Sequence, residues 1–193
     1  MRVPMPSRKR RICAFWGLMA ITGLLAAFCL LPLSVAFLER HRGMLDKARA
    51  WSAGARFVTD KNVVLQSHRN DCGPASLKMI LAAHGIESSM SDLASELRLT
   101  PKGTSLLNLR LVSTRLGVPA KSWAVQPRDL HQIPLPAIAF VNNDHFVVIR
   151  RFVAPEVLEV DDPALGRLRW PTRSFQKIWS GKMLVFDPAW APP

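Results

Sequence analysis

Cysteine is scarce in this sequence. Three occur in 193 residues, Cys13, Cys29 and Cys72, and the first two lie in a long apolar N-terminal run. The polar remainder therefore has a single thiol, which excludes a disulfide framework and a CxxC zinc site there. His68 and Cys72 stand four residues apart, but Pro74 follows closely and no second pair occurs, so no metal centre is expected. Acidic residues are also few, 14 against 26 Lys and Arg, for a net charge of +12. The imbalance is local. Residues 1–57 hold ten basic and two acidic side chains, and residues 58–193 hold sixteen and twelve. No basic stripe carries interleaved aromatics, so nucleic acid is not the expected partner. Internal repeats are absent, as is a Gly-rich phosphate loop ending in Lys-Ser/Thr.

What is present begins with Ile12–Leu38, 27 residues without a charge. A helix needs about 20 residues to span the hydrocarbon core of a bilayer. Arg8, Lys9, Arg10 and Arg11 precede the run, whereas Glu39, Arg40 and Arg42 follow it. The cluster places the N-terminus in the cytoplasm and the rest of the chain outside. Ser34-Val35-Ala36 offers a competing reading, cleavage near Ala36 and secretion. The expected layout is a basic segment 1–11, an anchor 12–38, a juxtamembrane linker 39–57, a globular domain 58–187 and a tail 188–193.

The hydrophobic period changes once along the domain. Pro74–Gly85, Ser91–Leu97 and Ser105–Gly117 repeat apolar residues at helical spacing, with Pro or Ser at the start. Ala137–Val141, His145–Phe152, Val157–Asp162 and Lys182–Phe186 read as strands. Helices followed by antiparallel strands predict an α+β domain, preceded by one transmembrane helix.

Cys72 falls at the entrance of the Pro74 helix, with Gly73 as the expected cap. The free N–H groups and partial positive charge of a helix N-terminus favour a thiolate. A half-buried structural cysteine would look the same in sequence, so a base nearby must decide between the two. Of five histidines, His41 is juxtamembrane and His84 sits beside Gly85, where capping a helix end suffices. His145 opens a strand directly after Asn-Asn-Asp, at a sheet rim. A hairpin centred between Val153 and Ala154 places Asp162 opposite His145, on the face of Leu158 and Val160. A half-step shift would present Asp161 instead. A carboxylate there can orient the imidazole and stabilise its charged form. Gln66, six residues before Cys72, can donate to an oxyanion together with the Cys72 N–H.

These residues carry a resemblance. "VLQSHRNDCGPASLKMILAAHGI" is similar to the opening motif of the C39 peptidases, papain-like cysteine proteases known from transporters that cut leader peptides after a double glycine. "LPAIAFVNNDHFVVIRRF" resembles the histidine strand of that family, "VDDPALG" its Asp-Pro turn and "FQKIWSGKMLVF" its closing segment. "KGTSLLNLRLVSTRLGVPAKSW" resembles its middle helix and following strand. The likeness runs from Val58 to Phe186. It implies a papain-like fold and a cofactor-free peptidase, with Cys72 as nucleophile, His145 as acid and base, Asp162 as orienter and Gln66 in the oxyanion hole. The implied substrate is a protein or peptide with a Gly-Gly or Gly-Ala leader, and export machinery is an implied partner. A non-catalytic leader-binding module and an amidase or acyl transferase are the competing functions.

Overall fold

The computed structural model describes residues 43–60 and 62–187. The expected anchor over 12–38, the basic segment before it and the tail 188–193 lie outside the described residues. The chain divides into two units, Met1–Leu45 and Asp46–Pro193, and the sheet with its covering helices belongs to the second. Among the described residues, no helix is long and apolar enough to cross a membrane.

A helix over residues 43–52 (α1) leads into β1 (Arg56–Val58). Three helices follow, α2 (Cys72–Ala83), α3 (Met90–Glu96) and α4 (Leu106–Arg115). Then come β2 (Lys121–Ala124), a 3-10 turn (Pro127–Gln132), β3 (Ala137–Val141), β4 (His145–Ala154), β5 (Val157–Asp162) and β6 (Gly166–Pro171). The short helix α5 (Thr172–Ile178) and β7 (Trp179–Val185) close the domain. The strands form one sheet in the order β1-β6-β5-β4-β3-β7-β2, and every pairing is antiparallel. The α+β expectation holds, with more strands than the hydrophobic pattern alone indicated.

Alternation along the central strands builds two cores, one on each face. Ile138, Phe146, Val148 and Leu184 meet the helices, where Leu77, Ile80 and Leu81 of α2 are fully buried. A twelve-residue helix is marginal by itself in water. Each of those leucines and isoleucines contributes roughly 1.5–3 kcal/mol when fully buried, so packing on the sheet decides whether α2 forms. The intervening residues, Ala137, Ala139, Val147, Ile149, Leu158, Val160 and Leu168, fill the other core with Leu130, Trp170 and Phe175. The helices begin on defined caps. Ser105 accepts from the Asn108 N–H at 3.1 Å, and Ser89 accepts from the Asp92 N–H at 3.0 Å. The α3 cap is thus Ser89, two residues ahead of the Ser91 expected from sequence. At the far end of α2, His84 Nδ1 caps the Ile80 carbonyl at 3.0 Å.

Candidate active site

The helix carrying the thiol starts earlier than expected. Asp71 is the N-cap and Cys72 is the first helical residue, so Gly73 and Pro74 lie inside the first turn. Pro74 is tolerated because the first N–H groups of a helix have no intrahelical acceptor. Gly73 is required by packing and not by capping. A Cβ there would collide with Thr104 Cγ2. The close approach of the Thr104 loop to the helix start leaves no room for a side chain. Cys72 itself is buried, with 5% of its surface exposed. Ser76 Oγ, one turn on, donates to the Phe146 carbonyl at 3.3 Å and ties α2 to the strand that begins at His145.

His145 is held at that strand's mouth by its turn. Val141 pairs with His145, and the intervening Asn142 and Asn143 have φ of 53° and 60°. Asparagine tolerates this left-handed region better than most residues, which is why Asn-Asn serves here. His145 Nε2 lies 2.7 Å from Asp162 Oδ1. The same oxygen accepts the Ala164 N–H at 2.7 Å. Pro163 has no N–H to offer, so the Asp-Pro sequence makes Ala164 the first donor that can fold back on the carboxylate. With Nε2 engaged by Asp162, Nδ1 is the ring nitrogen left for Cys72, which also interacts with this imidazole. Burial alone would lower the His145 pKa. Hydrogen bonds to Asp162 and Cys72, with the charge of both, override it and raise His145 to about 10.

The hairpin register differs from the expected one. Ala154 pairs with Val157, so the turn lies two residues beyond the proposed centre, and two irregularities in β4 then bring Val148 opposite Asp161. Asp162 is consequently diagonal to His145 and not directly across from it. The discrepancy is two residues in register, which preserves the face each side chain occupies. Diagonal neighbours in a sheet stand about 7–8 Å apart at the backbone, within reach of a long side chain. Asp161 points to the opposite face, where it is fully buried and bound by Arg150 and Arg167. Burial raises its carboxyl to about 6, against the opposing pull of Arg150. The same loss of solvent lowers Arg167.

Gln66 lies in the loop before α2, and its main-chain N–H donates to the Pro163 carbonyl at 2.8 Å. The loop is thereby fixed to the Asp162 turn. Its side-chain Oε1 is buried without a hydrogen-bond partner. Two other described histidines make contacts of their own. His68 makes a surface pair with Asp71 at 3.1 Å, and His131 stacks on Phe152 with centroids 4.3 Å apart. Among the described residues, no group of three or more His, Cys, Asp and Glu is placed to hold a metal ion.

A buried imidazole is fixed on one side by a carboxylate and interacts with the Cys72 thiol, which helps to raise its pKa. Such an arrangement can supply a nucleophile and return a proton to a leaving group. Comparisons with known proteins identify the family. The family model described as the peptidase C39 family matches residues 60–190. The lactococcin-G-processing and transport ATP-binding protein LagD of Lactococcus lactis subsp. lactis is 29% identical over 134 residues, covering 66% of this chain and 19% of its own length. The probable functional amyloid protease FapD of Pseudomonas aeruginosa is 30% identical over 132 residues, 62% of this chain and 58% of that protein. Among solved structures, a double glycine motif protease from an AMS/PCAT transporter, crystallised with its leader peptide, aligns with a TM-score of 0.62. It is 28% identical, and the alignment covers 64% of this chain and 89% of that one.

Proposed function

Because the chain belongs to the peptidase C39 family, we propose that it is a membrane-anchored cysteine peptidase that cuts an exported polypeptide at a double-glycine-type leader. The observation that carries this reading is the imidazole of His145, hydrogen bonded to Asp162 and interacting with Cys72 at the start of α2. In this mechanism the Cys72 thiolate attacks the scissile carbonyl carbon and the carbonyl electrons move onto oxygen. The Cys72 N–H and the Gln66 amide stabilise that oxyanion. Collapse expels the amine, which takes its proton from His145, and leaves a thioester on Cys72. His145 then removes a proton from water, the resulting hydroxide attacks the thioester, and the carboxylic acid leaves with the thiolate restored. Asp162 holds the ring in place through both steps.

The relatives support a leader peptide as the substrate. LagD is named for processing and transport, and the aligned crystal structure contains a leader peptide. A leader peptide ending in Gly-Gly or Gly-Ala is therefore the proposed substrate, and an export apparatus the proposed partner. The uncharged run Ile12–Leu38 and the basic cluster before it support an inner-membrane anchor with the peptidase outside the cytoplasm. The test is cleavage by the full chain of synthetic peptides that carry Gly-Gly, Gly-Ala or neither, with products identified by mass. Cleavage after the small pair, abolished in Cys72→Ala, is expected. Uncut peptides in every case would remove the peptidase reading.

A further inference from the structure

Asp161 and Asp162 are adjacent in β5 and so point to opposite faces of the sheet. Asp162 engages His145. Asp161, on the other face, receives a two-pronged contact from Arg167, with Nε to Oδ1 at 2.6 Å and Nη2 to Oδ2 at 2.9 Å. The remaining terminal nitrogen of that guanidinium, Nη1, donates to Asp60 Oδ2. Arg150 adds a third cationic contact to Asp161 at 3.2 Å. Apart from Arg150, the cluster is shielded from water. Side-chain exposure is 0% for Asp161, 11% for Arg167 and 18% for Asp60.

Asp60 lies between β1 and the Gln66 loop. From there the chain runs to Gln66, whose N–H is bonded to Pro163, the residue after Asp162. A closed ring of contacts results. It passes from Asp60 along the chain to Gln66, across to Pro163, back through Asp162 and Asp161, and through Arg167 to Asp60 again. A guanidinium suits the junction, because its planar fork can bind one carboxylate with two nitrogens and still reach a second carboxylate. The ammonium of a lysine is a point charge without that fork.

We propose that Arg167 is a positioning residue that, by holding Asp60 and Asp161 together, fixes the Gln66 loop against the Asp162 turn. The inference rests on the peptidase reading of Gln66 and Asp162. The ring ties the oxyanion donor to the acid that orients His145, though the two arise in distant parts of the chain. Movement of Asp161 moves Asp162 through one peptide unit, and movement of Asp60 shifts the start of the Gln66 loop. Binding of substrate does not require this alignment, but the transition state does.

The variant of choice is Asp60→Ala in the full chain, since it cuts the strut at its most exposed end and leaves the Arg167–Asp161 pair intact. Three quantities are measured: kcat and KM on a cleavable leader peptide, hydrogen exchange at the Gln66 amide, and the melting temperature. The expected result is a fall in kcat of about tenfold or more with KM unchanged, faster exchange at Gln66, and partial recovery of both in Asp60→Asn, which keeps an acceptor oxygen. A lowered melting temperature with unaltered kcat and unaltered Gln66 exchange would mean the cluster is only structural, and would overturn the proposal. If Asp60→Ala does not fold, Asp60→Asn is measured in its place, and the same outcomes support or overturn the strut. A wild-type chain that cuts no peptide would remove the peptidase reading, and the Gln66 exchange rates would still decide whether the strut holds the loop.

Discussion

Asp162 Oδ1 accepts two hydrogen bonds at 2.7 Å, one from His145 Nε2 and one from the Ala164 N–H of its own turn. One oxygen thus orients the ring while the turn orients the oxygen. Asparagine could accept both bonds but would lack the charge. Asp162→Asn should therefore retain more activity than Asp162→Ala, in which kcat/KM should fall about 10²-fold or more. Equal losses in the two variants, measured on a leader peptide, would mean that charge alone matters at this position.

The pH dependence follows from His145, raised to about 10. The imidazolium beside Cys72 persists through neutral pH and is lost only in strong alkali. The kcat/KM profile of the full chain should show its alkaline limb near 10, and Asp162→Asn should move that limb downward. A wild-type limb near the ordinary histidine value of about 6.5 would contradict the hydrogen-bonded pair. Stability obeys the same linkage. The folded state binds this proton more tightly than the unfolded chain, so the contribution of His145 is complete below about 6.5 and is lost as pH rises through 10. Melting temperatures of wild type and His145→Ala should converge across that interval.

Gly73 offers a packing test independent of catalysis. A methyl group at this position would collide with Thr104 Cγ2. Overpacking of this kind costs about 1–3 kcal/mol, so Gly73→Ala should lower the melting temperature by several degrees. Thr104→Ser deletes the obstructing methyl and keeps the hydroxyl. The double variant should regain most of the loss, and a double variant as unstable as Gly73→Ala would locate the clash elsewhere.

The orientation of the chain is open to a direct assay. Alkaline phosphatase, active only outside the cytoplasm, and a reporter active only in the cytosol can each be fused after Pro193. The four consecutive basic residues Arg8–Arg11 lead to the expectation of phosphatase activity alone. Replacing those four with serine should weaken that preference. Cytosolic reporter activity in the unaltered chain would reverse the assignment.

Much of the site is legible in the sequence, for reasons that can be traced. Cys72 is the one thiol outside the apolar run, and His145 follows a turn that asparagine makes recognisable. Asp162 is selected by face parity, which survives a two-residue error in register because side chains alternate with a period of two. The helix start at Cys72 is less visible, since Gly73 and Pro74 look like a boundary, and only the contact with Thr104 shows why glycine is needed inside the helix. β6 carries an alternation of Arg167, Leu168, Arg169 and Trp170 that signals a strand, yet it is short and runs directly into α5. The Asp60–Arg167–Asp161 cluster has no sequence signature. Asp60 and Arg167 are 107 positions apart, and nothing in local pattern links a loop aspartate to an arginine on a distant strand.

The sheet is longest in its middle, with ten residues in β4, and shortest at its rims, with three in β1 and four in β2. A sheet with free edges can recruit further strands through unpaired backbone groups, which is a route to aggregation. Here each edge exposes only a few such groups, and each bears a cation, Arg56 on one side and Lys121 on the other. An extended polypeptide arriving at this domain would find little edge on which to add as a further strand. The taper of the sheet thus guards against self-assembly and against templating by extended chains.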